Sequence, residues 1–261
     1  HFLSLFPNLK VIGRLGAGLE NIDTEEAARL GIACERVPEG NARAVAEHAL
    51  GMLLSLLNHL PRVHREIGQG LWRREPNKGR ELQALKVAVI GYGVMGSEFA
   101  NLLGAMGVQV LAHDTYKHGF ASGNVREASL ETVFAEADVV SLHLPLTEET
   151  RGYADAAFFG QFQKPIHFIN TARGPILKTD DLVSAMDAGV VLSAGLDVLE
   201  YEKSSFTSLF EAELPATLKT LLERENVLLS PHIAGWTKES FEKMGQGLAD
   251  KMLRVLGSGV E

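Results

Sequence analysis

Residues 86–114 leave the chain few alternatives. The run Lys86–Ile90 is apolar after its first residue and enters Gly91-Tyr92-Gly93-Val94-Met95-Gly96 with nothing between. Ser97–Met106 then carries helical spacing, Val108–Ala112 reads as a second strand, and Asp114 follows at its end. Each glycine answers a separate demand: Gly91 makes the tight turn, Gly93 lets the backbone approach a pyrophosphate, and Gly96 brings helix and strand close. The helix start offers N–H donors and the positive end of a dipole to phosphates. A carboxylate 18 residues after Gly96 can accept hydrogen bonds from ribose hydroxyls and repel the extra phosphate of NADP. The segment therefore predicts a dinucleotide site that prefers NAD, with Lys117 and His118 the nearby cations that would blur the preference.

Short β-rich runs alternate with helical patterns from end to end. Besides the two strands above, Lys10–Leu15, Gly31–Cys34, Val139–Leu144, Ile166–Asn170, Val191–Val198 and Asn226–Leu229 read as strands. The central ones are nearly continuous in Val, Ile, Leu and Ala, which suits strands covered on both faces of a parallel sheet and predicts an α/β fold. Asp23 with Glu26 three residues on predicts a capped helix to Leu30, closed by Gly31. Thr179 as cap, with Asp180 and Asp181 in the first turn, predicts another that ends near Gly189. Asn41–Leu60 reads as one long helix with Leu50, Leu53, Leu54, Leu57 and Leu60 on a stripe and Pro61 after it, the pattern of a helix buried between layers, domains or subunits. Two stretches interrupt the alternation: the polar loop Leu71–Leu82, and Glu200–Glu225, an insertion with a Ser-rich start and a helix near Thr217–Arg224.

Composition narrows the function classes. At 261 residues the chain is about 1.7 times an average domain, and 46% hydrophobic with 22% charged residues is the balance of a globular protein. With 25 Lys and Arg against 33 Asp and Glu the net charge is −8, a field that repels nucleic acid and anionic membrane surfaces. The longest apolar stretches, such as Ala49–Leu57, fall well short of the roughly 20 residues that span a bilayer. Cys34 is the single cysteine, so no internal disulfide can form and a cytoplasmic, reducing setting is expected. No cluster has metal-ligand spacing, so no metal is expected. The start, His1-Phe2-Leu3, has neither Met nor a basic stretch ahead of an apolar run and reads as neither a native start nor a signal peptide.

Three further segments follow strand ends: Asn170-Thr171-Ala172-Arg173-Gly174, Asp197-Val198-Leu199-Glu200-Tyr201-Glu202 and Pro231-His232-Ile233-Ala234-Gly235-Trp236. Open α/β sheets place ligands at that edge, so the three segments are expected to form one site. Together with Gly16-Ala17-Gly18-Leu19-Glu20-Asn21-Ile22-Asp23 and Leu144-Pro145-Leu146-Thr147, in this order, they resemble the D-isomer-specific 2-hydroxyacid dehydrogenases over essentially the whole chain. The resemblance implies a doubly wound parallel sheet of Rossmann type plus a smaller flavodoxin-like α/β substrate domain. It also implies NAD as cofactor, a small 2-hydroxy or 2-keto acid as substrate, and a homodimer to which the helix from Asn41 contributes.

Carried over by position, Arg173, Glu202 and His232 resemble the family's catalytic trio. Cofactor contacts are implied for Gly91, Tyr92, Gly93, Val94, Met95 and Gly96 of the turn, and for Asp114, Leu144, Pro145 and Thr147. They are also implied for Thr171, Ala172, Arg173, His232 and Ala234, and Asp197 matches the acid that holds the nicotinamide carboxamide. Gly16, Ala17 and Gly18, with Arg173, match the substrate-carboxylate site, where backbone N–H groups point at the anion. Arg14 and Arg74 are candidates for a second anionic group such as a phosphate.

The chemistry asks for these residue types on its own account. Oxidising a 2-hydroxy acid needs a base for the hydroxyl proton, and a histidine titrates in the useful range. A carboxylate on the second ring nitrogen fixes the tautomer and stabilises the imidazolium. A planar guanidinium suits a carboxylate or a keto oxygen. The other histidines singled out, His48, His113 and His143, read as structural or as neighbours of the cofactor.

Departures from the family pattern are local. Lys203 stands where Pro often follows the catalytic Glu, which makes Glu200 a rival to Glu202; the spacing of five from Asp197 favours Glu202. Family members carry a further segment ahead of the position of Leu9, so the substrate domain is expected to lack its opening strands, and no regulatory domain is expected after Glu261. The expected division is residues 41–236 as the NAD-binding domain and residues 1–40 with 237–261 as the substrate domain, with the site in the cleft between them. Three functions are open: a dehydrogenase with D-3-phosphoglycerate as first substrate, a hydroxypyruvate or glyoxylate reductase, and an NAD(H)-sensing interaction protein.

Overall fold

A computed structural model describes residues 2–202 and 214–257. In chain order the elements are β1 (Val11–Arg14), α1 (Thr24–Arg29), β2 (Ala33–Arg36), α2 (Pro38–Leu57), α3 (Leu60–Gly68), β3 (Lys86–Ile90), α4 (Val94–Ala105), β4 (Gln109–His113) and β5 (Val125–Glu127). They continue with α5 (Leu130–Glu136), β6 (Val139–Leu142), α6 (Ala156–Phe159), β7 (Ile166–Asn170), α7 (Thr179–Asp187), β8 (Val191–Leu196), α8 (Ala216–Glu223), β9 (Val227–Leu229) and α9 (Lys238–Gly257). The Ser-rich start of the 200–225 insertion lies outside the described residues, whereas its expected helix is α8. Among the described residues no helix is long and apolar enough to cross a membrane, and no group of side chains could hold a metal ion.

The chain divides into two compact units, residues 1–44 with 235–261, and residues 45–234. The first boundary falls inside the continuous helix α2, which begins at Pro38 and not at the expected Asn41.

The larger unit is a seven-stranded sheet in the order β5-β4-β3-β6-β7-β8-β9, parallel throughout. Successive residues of the central strands feed opposite faces. Ala88 and Ile90 pack with Phe168, Leu182 and Leu196, while Val87 and Val89 pack with Leu53, Phe99 and Leu103. This double coverage explains the unbroken apolar runs. A side chain such as Phe168 or Leu53, wholly removed from solvent, contributes about 1.5–3 kcal/mol of transfer free energy. The strand β5 escapes sequence reading because it is a three-residue edge strand in a polar stretch, with Arg126 exposed.

The expected single helix over residues 41–60 is instead two. Pro61 has no N–H for the Leu57 carbonyl, which accepts from Arg80 N–H at 3.1 Å instead. His59 turns left-handed at φ 53°, and Leu60, expected on the buried stripe, is half exposed at the start of α3.

In the smaller unit β1 and β2 pair in parallel. Asp23 caps α1 as expected, its side chain accepting from Glu26 N–H at 2.9 Å. Val37, Met244 and Leu248 form its core, with Met252 against them.

Candidate active site

The strand order reverses between β3 and β6, the point where open sheets of this kind bind nucleotides. Gly91 leaves β3 with φ 94°, and a Cβ there would stand 2.6 Å from the His143 carbonyl oxygen beyond β6, so only glycine fits. A Cβ on Gly96 would meet the Gly91 carbonyl oxygen at 1.9 Å, so α4 begins directly against the turn. A Cβ on Gly93 would meet nothing within 4 Å, which leaves the backbone at the start of α4 open to a ligand.

Asp114 closes this turn from the next strand. Its carboxylate accepts from Tyr92 N–H at 2.7 Å and from Tyr116 and Lys117 N–H at 2.9 and 3.0 Å. Burial works to raise its pKa, but these donors and the Lys117 charge outweigh burial and hold the carboxyl below its ordinary value. Lys117 Nζ donates to the Tyr92 carbonyl at 3.0 Å, and the Tyr92 ring stacks on Phe120 with centroids 4.1 Å apart. His118 Nδ1 sits 3.2 Å from Glu127. Both cations that were expected to blur the NAD preference therefore have protein partners. Beyond β6, Leu144 packs on the core, and the 145–150 loop is wound by Thr150, whose hydroxyl donates to the Pro145 carbonyl at 2.6 Å and accepts from Thr147 N–H at 2.8 Å.

Beyond β7, Asn170 folds the Thr171-Ala172-Arg173 turn. Its side-chain oxygen accepts from Ala172 N–H at 3.0 Å and its amide donates to the Arg173 carbonyl at 3.3 Å. Arg173 donates to the Ala172 carbonyl at 2.7 Å. Thr171 Oγ1 is buried and has no hydrogen-bond partner among the described residues. A Cβ on Gly174 would lie 1.9 Å from the Leu199 carbonyl oxygen, so the arginine turn packs straight onto the loop that carries the two glutamates.

Those glutamates have separate partners. Glu200 accepts from Thr179 N–H and hydroxyl at 2.9 and 2.8 Å, so it caps α7 from a distance. The expected cap by Thr179 itself is thereby corrected: Thr179 is the first helical residue, and the acid comes from another loop. Glu202 Oε2 stands 2.6 Å from His232 Nδ1, and its other oxygen accepts from Leu199 N–H. The carboxylate holds the proton on Nδ1, so Nε2 carries the lone pair of the neutral ring.

Asp197 is buried and ties down the histidine turn. Its Oδ1 accepts from the Ser230 hydroxyl at 2.5 Å and from Ile233 N–H at 2.9 Å, and its Oδ2 from Ala234 N–H at 2.9 Å. Its backbone carbonyl accepts from His232 N–H at 2.7 Å. These bonds hold His232 at φ 55°, a left-handed conformation that costs about 1–3 kcal/mol for a side chain of this kind. Asn170 and Ser230 were not picked out from the sequence. The Asn at a strand end is a readable turn signal, whereas Ser230 has no local signature.

Within the smaller unit, the carbonyls of Gly16, Ala17 and Gly18 accept from Val37 N–H at 3.2 Å, Arg36 at 2.8 Å and Arg14 respectively. In trans peptides the N–H groups of Ala17, Gly18 and Leu19 then face the opposite way. Arg14, proposed from sequence for a second anion, is turned onto this loop and lies 3.6 Å from Glu20, while Arg74 is exposed beside Trp72.

The NAD-binding-domain model of the D-isomer specific 2-hydroxyacid dehydrogenases matches residues 50–234. The chain belongs to this family of NAD-dependent oxidoreductases acting on CH–OH groups. Hydroxypyruvate reductase of Thermotoga maritima is 34% identical over 250 residues, which cover 96% of this chain and 78% of that protein. D-3-phosphoglycerate dehydrogenase of Archaeoglobus fulgidus is also 34% identical over 250 residues, covering 95% of this chain and 45% of that protein, so the chain spans less than half of it. D-lactate dehydrogenase of Aquifex aeolicus, solved with NAD and lactic acid, superposes with a TM-score of 0.85 at 31% identity, over 98% of this chain and 79% of that one.

NAD is the family's cofactor and fits this dehydrogenase chain. Gly93 has open space, the N-terminus of α4 faces the turn, Asp114 sits at the end of the second strand, and the Thr171 hydroxyl is buried without a partner among the described residues. Asp197 Oδ2 accepts one hydrogen bond and so keeps a lone pair for an amide.

Proposed function

We propose that the chain catalyses reversible NAD-dependent oxidation of a D-2-hydroxy acid through His232, Glu202 and Arg173. The observation that carries this reading is the 2.6 Å pairing of His232 Nδ1 with Glu202 on a strained turn. NAD supplies the hydride acceptor, and NADH the donor in the reverse direction. The phosphates belong to the 91–96 turn, the ribose to Asp114 and the carboxamide to Asp197, with Leu144, Pro145, Thr147, Thr171, Ala172 and Ala234 lining the nucleotide.

His232 Nε2 takes the hydroxyl proton as the substrate is oxidised and returns it when the keto acid is reduced. Glu202 faces the charge that forms on the ring and stabilises it. Arg173 binds the substrate carboxylate with its planar donors. The first substrate candidate is D-3-phosphoglycerate, in a serine-forming role, since several relatives carry that activity. Reduction of hydroxypyruvate or glyoxylate is the second reading, favoured by Arg14, proposed from sequence for a phosphate, whose guanidinium donates to the Gly18 carbonyl. The enzyme works as a cytoplasmic homodimer to which α2 contributes, as the family resemblance implies.

NADH consumption against a panel of 2-keto acids tests this reading. Turnover with phosphohydroxypyruvate, hydroxypyruvate or glyoxylate supports it and ranks the substrates. Tight NADH binding without turnover of any panel member would favour an NAD(H)-sensing interaction protein.

A further inference from the structure

The hydrogen bonds of Asp197 extend past the residues so far discussed. Ile233 and Ala234 donate backbone N–H groups to its two carboxylate oxygens, the pattern of an ionised acceptor. Ser230 must therefore donate its hydroxyl proton to Asp197 Oδ1, at 2.5 Å, and its oxygen is left to accept. What it accepts is a proton from His48, whose Nε2 lies 2.9 Å away and also stands 3.5 Å from Asp197 Oδ1. The direction of every bond in this chain is fixed: His48 Nε2–H to Ser230 Oγ, Ser230 Oγ–H to Asp197 Oδ1. The order rules out Ser230 as a nucleophile, because its proton sits on the carboxylate side and the histidine nitrogen facing it is a donor and not a base.

We propose that His48 is a positioning residue for the reaction, acting through Ser230 and Asp197 on the turn that bears His232. Asp197 is the common anchor of that turn: it receives Ile233 and Ala234 on its side chain and His232 on its carbonyl, on either side of the left-handed residue. A strained conformation persists only where its surroundings over-determine it. His48 projects from α2, a rigid helix packed on the sheet through Leu53 and Leu57, and so ties the loop of β9 to the scaffold. Removing the donor leaves Ser230 Oγ with an empty acceptor position beside a buried carboxylate, and Ser230 is then free to rotate away from Asp197. The His232 ring would lose its fixed height relative to Glu202, while the phosphate turn and Asp114 are untouched. The proposal rests on His232 being the proton-transfer group.

The test compares His48→Leu, which removes the donor, with His48→Gln, whose amide can donate in its place. In the full chain, His48→Leu should lower kcat roughly 10- to 100-fold, the scale of a displaced catalytic group. His48→Gln should recover most of the rate. Hydrogen exchange at the Ile233 and Ala234 amides supplies a readout that needs no turnover: exchange should quicken by at least about tenfold in His48→Leu and return toward the parent in His48→Gln. Unchanged exchange in His48→Leu would overturn the proposal whatever the activity. Quickened exchange with an unchanged rate would support the tie to the turn and overturn its role in the reaction. If the parent itself reduces no keto acid, the exchange data still decide whether His48 holds the turn, and it is the assignment of His232 that fails.

Discussion

Acid should weaken the fold through one buried histidine in particular. His167 lies on β7 with its Nδ1 2.7 Å from Ser193 Oγ and its Nε2 buried with no hydrogen-bond partner among the described residues. Burial, reinforced by the Arg80 and His59 charges and opposed by Asp138, lowers its pKa from the ordinary 6.5 to about 4. The folded state therefore resists protonation, and between about pH 6.5 and 4 the unfolded chain binds the extra proton. Stability from this residue is fully present above pH 6.5, falls as the pH drops through that window and levels off below 4. At about 1.4 kcal/mol per pH unit the full loss is about 3 kcal/mol, and about 2 kcal/mol of it is reached by pH 5. His167→Gln keeps a polar side chain with no titration. Urea unfolding of parent and variant at pH 8 and pH 5, compared as ΔG from midpoint and slope, should show the parent losing about 2 kcal/mol more than the variant. His143, also lowered to about 4 by burial, titrates equally in both proteins and cancels. Parallel losses in the two proteins would refute the reasoning.

Two substitutions separate roles that the sequence left side by side. Glu200→Ala should remove the cap of α7 and cost about 1 kcal/mol in thermal or urea unfolding while kcat stays within about threefold, whereas Glu202→Gln should lower kcat at least about tenfold with little change in unfolding; the reverse pattern would exchange the two assignments. Asp114→Ser should shift the ratio of kcat/KM for NAD over NADP toward NADP by at least about tenfold, since the carboxylate that repels a 2′-phosphate is gone; an unchanged ratio would remove Asp114 from the ribose site.

The sequence made the central sheet legible because its strands are buried on both faces, so Lys86–Ile90 and Ile166–Asn170 stand out as unbroken apolar runs. The phosphate turn was legible because its three glycines stand together directly after an apolar strand, although the contact that forces Gly91, the His143 carbonyl, comes from another strand end. The partnership of Glu202 with His232 was implied by the family resemblance, whose pattern places the acid five residues after Asp197. The separate duty of Glu200 did not, since a cap reaching α7 from 21 residues away leaves no local pattern. The end of α2 was missed because an apolar stripe continues through Leu60, while the break depends on Pro61 and on Arg80, which takes over the Leu57 carbonyl. Ser230 and His48, 182 residues apart, meet only through the fold.

The central claim is that His232 moves the substrate proton, and His232→Ala tests it most directly. With the best 2-keto acid of the panel, kcat should fall at least about 10²-fold, while the Kd for NADH measured by fluorescence stays within about twofold of the parent. A variant that binds NADH normally and keeps its rate would contradict the account.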